Sequence, residues 1–217
     1  MDRYQVATGT GTDFRQRWTE AHDQVRQQLS QPLTPGKEHL LTSALDACKG
    51  RSIANVSARD IARAAGLNPA TLYSHYPGKA ELLAAAFSWS YTLFLDFLLQ
   101  NVRPEMEPPE LLASLIRTHL EHDERFVESG RLWRDSPDLE TSKEPFVVEL
   151  RERVWFLPSL YRRLVAEILR GCGADDLVAE KAQISLRILN DANAWEGLGI
   201  EDKRKRCERL IRALLNA

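Results

Sequence analysis

The chain has 217 residues, of which 43% are hydrophobic and 28% charged, with a formal net charge of −2. That is the composition of a soluble globular protein long enough to bury a core, either one large domain or a small domain attached to a larger one. A mildly acidic total excludes a surface that wraps nucleic acid on all sides, so any DNA-binding face must be local.

Along the chain the reading is all-α; no sustained period-two alternation of β-branched residues marks a strand. The opening "MDRYQVATGTGTDF" has no apolar core and does not read as a secretory signal. Asp13 to Leu29 forms a polar helix with an incomplete apolar stripe of Phe14, Trp18, Val25 and Leu29, and "SQPLTPG" is a linker. Residues 1–34 are thus an N-terminal extension, partly disordered or helical. Lys37 to Cys48 carries apolar residues at three- and four-residue spacing. Short helices at 58–65 and 69–75 lead into a long one at 79–101. Within it, Leu82 to Leu99 reaches membrane-span length with Asp96 as its only charge. Serines, Tyr91 and Thr92 interrupt that run, which therefore reads as the buried helix of a bundle. Helices follow at 109–121 and 124–135, then at 146–170, where Pro158 should kink the chain for want of an N–H. Helices at 175–195 and 201–215 complete the set. Three scattered cysteines, Cys48, Cys172 and Cys207, form no Cys-x-x-Cys pair and read as buried thiols in a reducing cytoplasm, not as a disulfide framework or a zinc site.

The chemistry concentrates in residues 35–83. Within 35–82, six basic residues (Lys37, Lys49, Arg51, Arg59, Arg63, Lys79) face four acidic ones, whereas the chain after residue 82 is net acidic. In "VSARDIARAAGL", Ser57 and Asp60 are spaced for a capping box. Ile61, Ala65 and Leu67 point to a core, and Gly66 sits where a helix ends in a left-handed residue. Asn68 caps the next helix and Pro69 occupies its first position. Two short helices joined by a tight turn are a helix-turn-helix. In the second helix, "NPATLYSHYPGK", Leu72 and Tyr76 face inward. That leaves Thr71 for a phosphate oxygen or a thymine methyl, and Tyr73 and His75 for the DNA backbone. Lys79 opens the next helix, where an ammonium and helix N–H groups suit a phosphate. Arg59 is the candidate for a bidentate contact to guanine.

Over about residues 38–84 the ordered motifs "ALDA", "DIARAAGL", "TLYSHYPGK" and "ELL" closely resemble the DNA-binding domain of the TetR family of transcriptional regulators. The resemblance implies a homodimeric repressor on a palindromic double-stranded operator, with residues 84–217 forming a ligand-binding and dimerisation domain that closes through its last two helices. It implies DNA contacts at Ser57, Arg59, Thr71, Tyr73, His75 and Lys79, and no cofactor. Two features depart from the pattern. The turn "CKGRSIANVS" is a residue or two short, and the N-terminal extension is long. Arg15, Arg17 and Arg26 of that extension fit either a minor-groove arm or a solvated helix.

The second half carries no motif that names a ligand. Trp89, Trp133, Trp155, His119 and Asn190 are the expected lining of an apolar or amphipathic effector site, with Asn193 as a further polar group. "ILNDANAW" is faintly similar to regulators of lipid and acyl-CoA metabolism. In "HLEHDE", His119 and His122 are spaced for one metal ion, but histidines in a charged run read as solvated, and no metal site is expected. "EDKRKR" reads as the wet face of a docking helix. The alternative to a regulator is a helical enzyme or interaction protein that retains the helix-turn-helix shape. No nucleophile–base pair or phosphate loop supports an enzyme.

Overall fold

The computed structural model describes residues 10–29, 33–49, 51–125, 143–174 and 176–216. Among them lie ten α-helices and no strand: α1 (Thr10–Gln27), α2 (Pro35–Cys48), α3 (Ala58–Ala64), α4 (Pro69–His75), α5 (Lys79–Asn101), α6 (Pro108–Arg125), α7 (Pro145–Val154), α8 (Phe156–Gly171), α9 (Val178–Asp191) and α10 (Ile200–Leu215). Short 3-10 turns occupy Ile53–Asn55 and Ala192–Ala194. The all-α reading stands. Most of the helix expected at 124–135, with Trp133, lies outside the described residues.

The helix expected at 146–170 is two helices, α7 and α8, with Trp155 between them. Pro158 cannot donate to the Val154 carbonyl and its ring crowds that oxygen, so the helix divides at Val154.

The chain forms two compact units. One comprises Gln28–Phe97 and Glu121–Ser159. Its core joins Leu41, Leu45, Ile53, Ile61, Leu72, Leu82, Leu83 and Phe87 with Leu150 and Val154 of α7, all nearly or fully buried. Residues 35–83 therefore do not close a core alone; α7, from the second half of the sequence, supplies part of it. The polar interruptions of α5 are answered locally, since the Ser90 hydroxyl donates to the Phe87 carbonyl at 2.9 Å and Thr92 to the Trp89 carbonyl at 2.7 Å. The most apolar window of α5 is long enough to span a membrane, yet 56% of it is buried within the protein, as a core helix requires.

The other unit comprises Met1–Gln27, Leu98–Leu120 and Leu160–Ala217. Here α1 is a docked helix: Arg15 and Arg26 stay on its exposed side, as the solvated-helix reading has them, while its opposite face is buried. Phe14, Trp18, Ala21, His22 and Val25 are buried at helical spacing and complete the stripe that looked partial in the sequence. Arg17 bonds Glu167 at 3.1 Å, and Arg163 bonds Gln24 at 2.7 Å, which lays α1 antiparallel along α8. Arg15 pairs with Glu107 and Arg17 also with Asp13. At Gly171 an added Cβ would sit 2.6 Å from the Phe14 ring, so a glycine is what lets α1 approach α8 this closely. α9 and α10 pack against each other.

Candidate nucleic-acid interface

Two short helices carry the site, and each is held by its own ends. Ser57 accepts from the Asp60 N–H at 3.1 Å while its backbone N–H donates to the Asp60 carboxylate at 3.0 Å, the expected capping box. The Ser57 hydrogen bonds, with Arg51 and Arg63 nearby, hold the Asp60 carboxyl below its ordinary pKa. Gly66 adopts φ +64°, ending α3 in the left-handed conformation that the turn demands. Asn68 then accepts from the Ala70 N–H at 2.9 Å to cap α4. Ile61, Ala62, Ala65 and Leu72 are buried beneath these caps. His39 of α2, with Nε2 3.2 Å from the Ala65 carbonyl, ties the end of α3 to the rest of the unit.

What remains outward is the polar set. Ser57 at the cap of α3, Arg59 within it, and Thr71, Tyr73, Ser74 and His75 on α4 are all exposed. Tyr73 leaves 53% of its surface to solvent, far more than a ring of that size keeps when it belongs to a core. Tyr76 is half-buried against the core, as its spacing from Leu72 predicts. This is a surface able to meet phosphates, sugars and base edges with hydroxyls, an imidazole and one guanidinium.

Lys79 is placed differently. Its ammonium turns inward, donating to the carbonyls of Ile53 at 3.2 Å and Ala54 at 3.0 Å, and lies 3.9 Å from the centroid of the Phe146 ring. Burial lowers its pKa. The anion that the start of α5 favours is supplied from within: the Glu81 carboxylate folds back to 2.7 Å from where a Cβ on Gly78 would lie. The sequence held no cue for this, because Phe146 is far away along the chain.

The residues expected to line an effector site are divided between the two units. Trp89 packs half-buried on the core shared by α7, and Trp155, at the α7–α8 break, is exposed. Both belong to the unit with the helix-turn-helix. His119 and Asn190 belong to the other unit, and Asn190 is exposed on α9. His119 is buried, with Nδ1 2.9 Å from the Tyr161 hydroxyl. His122 is likewise buried, against the rings of Phe94 and Phe97. The expectation that these histidines are solvated is therefore corrected: α6 buries both against aromatic side chains. No cluster of three or more metal-ligating side chains occurs among the described residues. Sequence reasoning placed Trp18 on the apolar stripe of α1 but passed over His22, a fully buried imidazole four residues on, although their shared helical face was available as a signal.

α10 has the wet face expected of "EDKRKR". Arg204 pairs with Glu201 and Glu208, Arg206 covers the Trp195 ring, and Cys207 and Ile211 are buried beneath. Cys48 and Cys207 are buried and Cys172 half-buried, and burial raises each thiol to a pKa of about 11, so all three are protonated at neutral pH.

Residues 40–86 match the family model of bacterial regulatory proteins of the tetR family. A comparison with curated proteins returns no match. Among solved structures, a TetR-like transcriptional regulator from Rhodococcus sp. RHA1 superposes with a TM-score of 0.70 at 19% identity, covering 87% of this chain and 100% of that one. The fatty acid degradation regulator FadR from Bacillus halodurans gives 0.66 at 16% identity, covering 83% and 96%. FadR from Bacillus subtilis, in complex with stearoyl-CoA, gives 0.65 at 16% identity, covering 82% and 97%. At such identities the likeness establishes the fold alone.

Proposed function

We propose that this chain, a TetR-family transcriptional regulator by its helix-turn-helix domain and its fold, represses transcription from a palindromic operator and is released by a small apolar or amphipathic effector. The observation that carries the DNA-reading half is the outward set Ser57, Arg59, Thr71, Tyr73 and His75, presented by two capped helices over a closed core. Arg59 has the planar fork to reach the two major-groove acceptors of guanine. Thr71 suits a thymine methyl, and Tyr73 and His75 suit the backbone. The operator is palindromic because the chain pairs with a second copy through α9 and α10. Leu177, Ile184 and Leu210 leave 63%, 43% and 37% of their surfaces exposed, as residues of a two-fold interface would in one copy.

For the effector, the buried His119–Tyr161 pair is the polar fixing point we assign, among the apolar groups that a site for such a ligand requires. The Bacillus subtilis protein of similar fold is complexed with stearoyl-CoA, and that motivates a long-chain acyl thioester as the first compound to try. Selection of duplexes from fragments of the source genome tests the reading, followed by titration of the selected duplex with and without stearoyl-CoA. A sequence-specific complex that stearoyl-CoA weakens is the expected result, and binding of all duplexes alike refutes the regulator. Coupling is reciprocal, so the operator must weaken effector binding by the same factor.

A further inference from the structure

The turn Ile53–Asn55 sits immediately before the DNA-facing segment, two residues ahead of Ser57. Its internal bonds are few: Asn55 N–H donates to the Ser52 carbonyl at 3.0 Å, and Val56 N–H to the Ile53 carbonyl at a long 3.3 Å. The turn is braced instead from outside. Lys79 delivers two of its three N–H donors to the Ile53 and Ala54 carbonyls, and the ammonium lies over the face of Phe146. Phe146 is the second residue of α7, and α7 packs against the same turn. Further along α7, Leu150 and Val154 enter the core, and Arg153 reaches Glu81 at 3.3 Å, two residues from Lys79 in the first turn of α5. A phosphate could take this ammonium only by stripping two carbonyls and a ring of their partner, at a helix start already occupied by Glu81.

We propose that Lys79 is a positioning residue for DNA reading: held between the carbonyls of the 53–55 turn and the Phe146 ring, it sets where Ser57 and Arg59 stand. α7 is thereby a working part of the DNA-binding unit, and Phe146 is its point of contact. The proposal rests on the DNA-reading function given above. It differs from a phosphate clamp in what it predicts. A clamp contributes equally to every duplex and carries a share of the salt dependence, whereas a positioning residue changes only the duplex whose bases Arg59 must reach.

The test uses the full chain with two duplexes, one selected by the wild type from a random pool and one of equal length with that sequence shuffled, each titrated at several KCl concentrations. Lys79→Met keeps the stem and removes the donors. It should lose roughly ten-fold on the selected duplex, the weight of a charged hydrogen-bond set, with the shuffled duplex and both salt slopes unmoved. Lys79→Arg, which keeps donors and charge over Phe146, should restore most of the loss. Phe146→Leu, which lies outside the exposed polar set of α3 and α4 and carries no charge or hydrogen-bonding group, should lower the selected-to-shuffled ratio, and its combination with Lys79→Met should be no worse than Lys79→Met alone. An equal loss on both duplexes, with the log–log slope falling by about one per subunit, makes Lys79 a phosphate contact and overturns the proposal. Additive losses in the double variant, or a Phe146→Leu ratio equal to wild type, overturn the part assigned to α7; this arm decides even if Lys79→Met fails to fold. A wild type that selects no duplex refutes the DNA-reading function itself, whereas clean selection with an unmoved ratio in both single variants sinks only the positioning role.

Discussion

Replacing Trp18 with alanine separates a docked α1 from a DNA-reaching arm. The Trp18 side chain is fully buried on the face of α1 that also hides Phe14, Ala21 and Val25. Removing a buried aromatic of this size costs about 3–5 kcal/mol. The indole N–H has no acceptor among the described residues, so the variant also relieves a desolvated donor, and the lower end of that range applies. At roughly 2–4 °C per kcal/mol for a chain of this length, the melting midpoint should fall by about 6–12 °C. Trp18→Phe, which keeps most of the ring and sheds the N–H, should lose less than half as much. The companion variant Arg15→Gln/Arg17→Gln severs the pairs with Glu107, Asp13 and Glu167. Because those arginines are spent on α1's own anchoring, the salt dependence of DNA binding should not move. Thermal melts followed by circular dichroism, and titrations of the selected duplex across a KCl series, provide the two readouts. A Trp18→Ala melt within a degree or two of wild type would refute the docking. A salt slope shallower by about 0.9 for each lost contact in the arginine variant would restore the minor-groove arm.

Four further outcomes are expected. Gly66→Ala places a side chain at φ +64° with open space around the new Cβ, so only backbone strain of about 1–2 kcal/mol should appear in the melt, with no steric clash. Arg59→Ala should cost roughly 1–3 kcal/mol per half-site on the selected duplex while barely changing the shuffled one; equal losses on both would make it a phosphate contact. Burial lowers the folded-state pKa of His22, so its contribution is complete above the unfolded value of about 6.5 and is lost as pH falls through it, when the unfolded chain takes up the proton first. His22→Leu should therefore flatten the decline in stability between pH 7 and pH 5, measured by urea titration. Ile184→Glu puts a charge on the exposed apolar face of α9 and should shift the sedimentation profile from dimer to monomer at micromolar concentration; a wild type already monomeric there would remove the proposed interface.

The elements legible in the sequence are those whose causes lie within one or two helical turns. The capping box of Ser57 and Asp60, the left-handed Gly66, the Asn68–Pro69 start and the break ahead of Pro158 are each enforced by backbone groups a few residues away, and all four stand in the structure. The period of apolar residues likewise placed α5 at 79–101 and α10 within a residue of its ends. Which face of α3 and α4 turns outward followed from the same local spacing. Whatever depends on a partner far along the chain was decided only by tertiary packing. His119 and His122 look solvated in a charged run because period alone cannot say what their face of α6 will meet, and it meets Tyr161, Phe94 and Phe97. α1 looks too polar to dock until Arg17 finds Glu167 and Gly171 lets Phe14 in. Lys79 carries the composition of a phosphate contact, yet its ammonium is drawn to the carbonyls of Ile53 and Ala54 and to the ring of Phe146. A local pattern determines which groups must be satisfied; only the folded chain decides which distant group satisfies them.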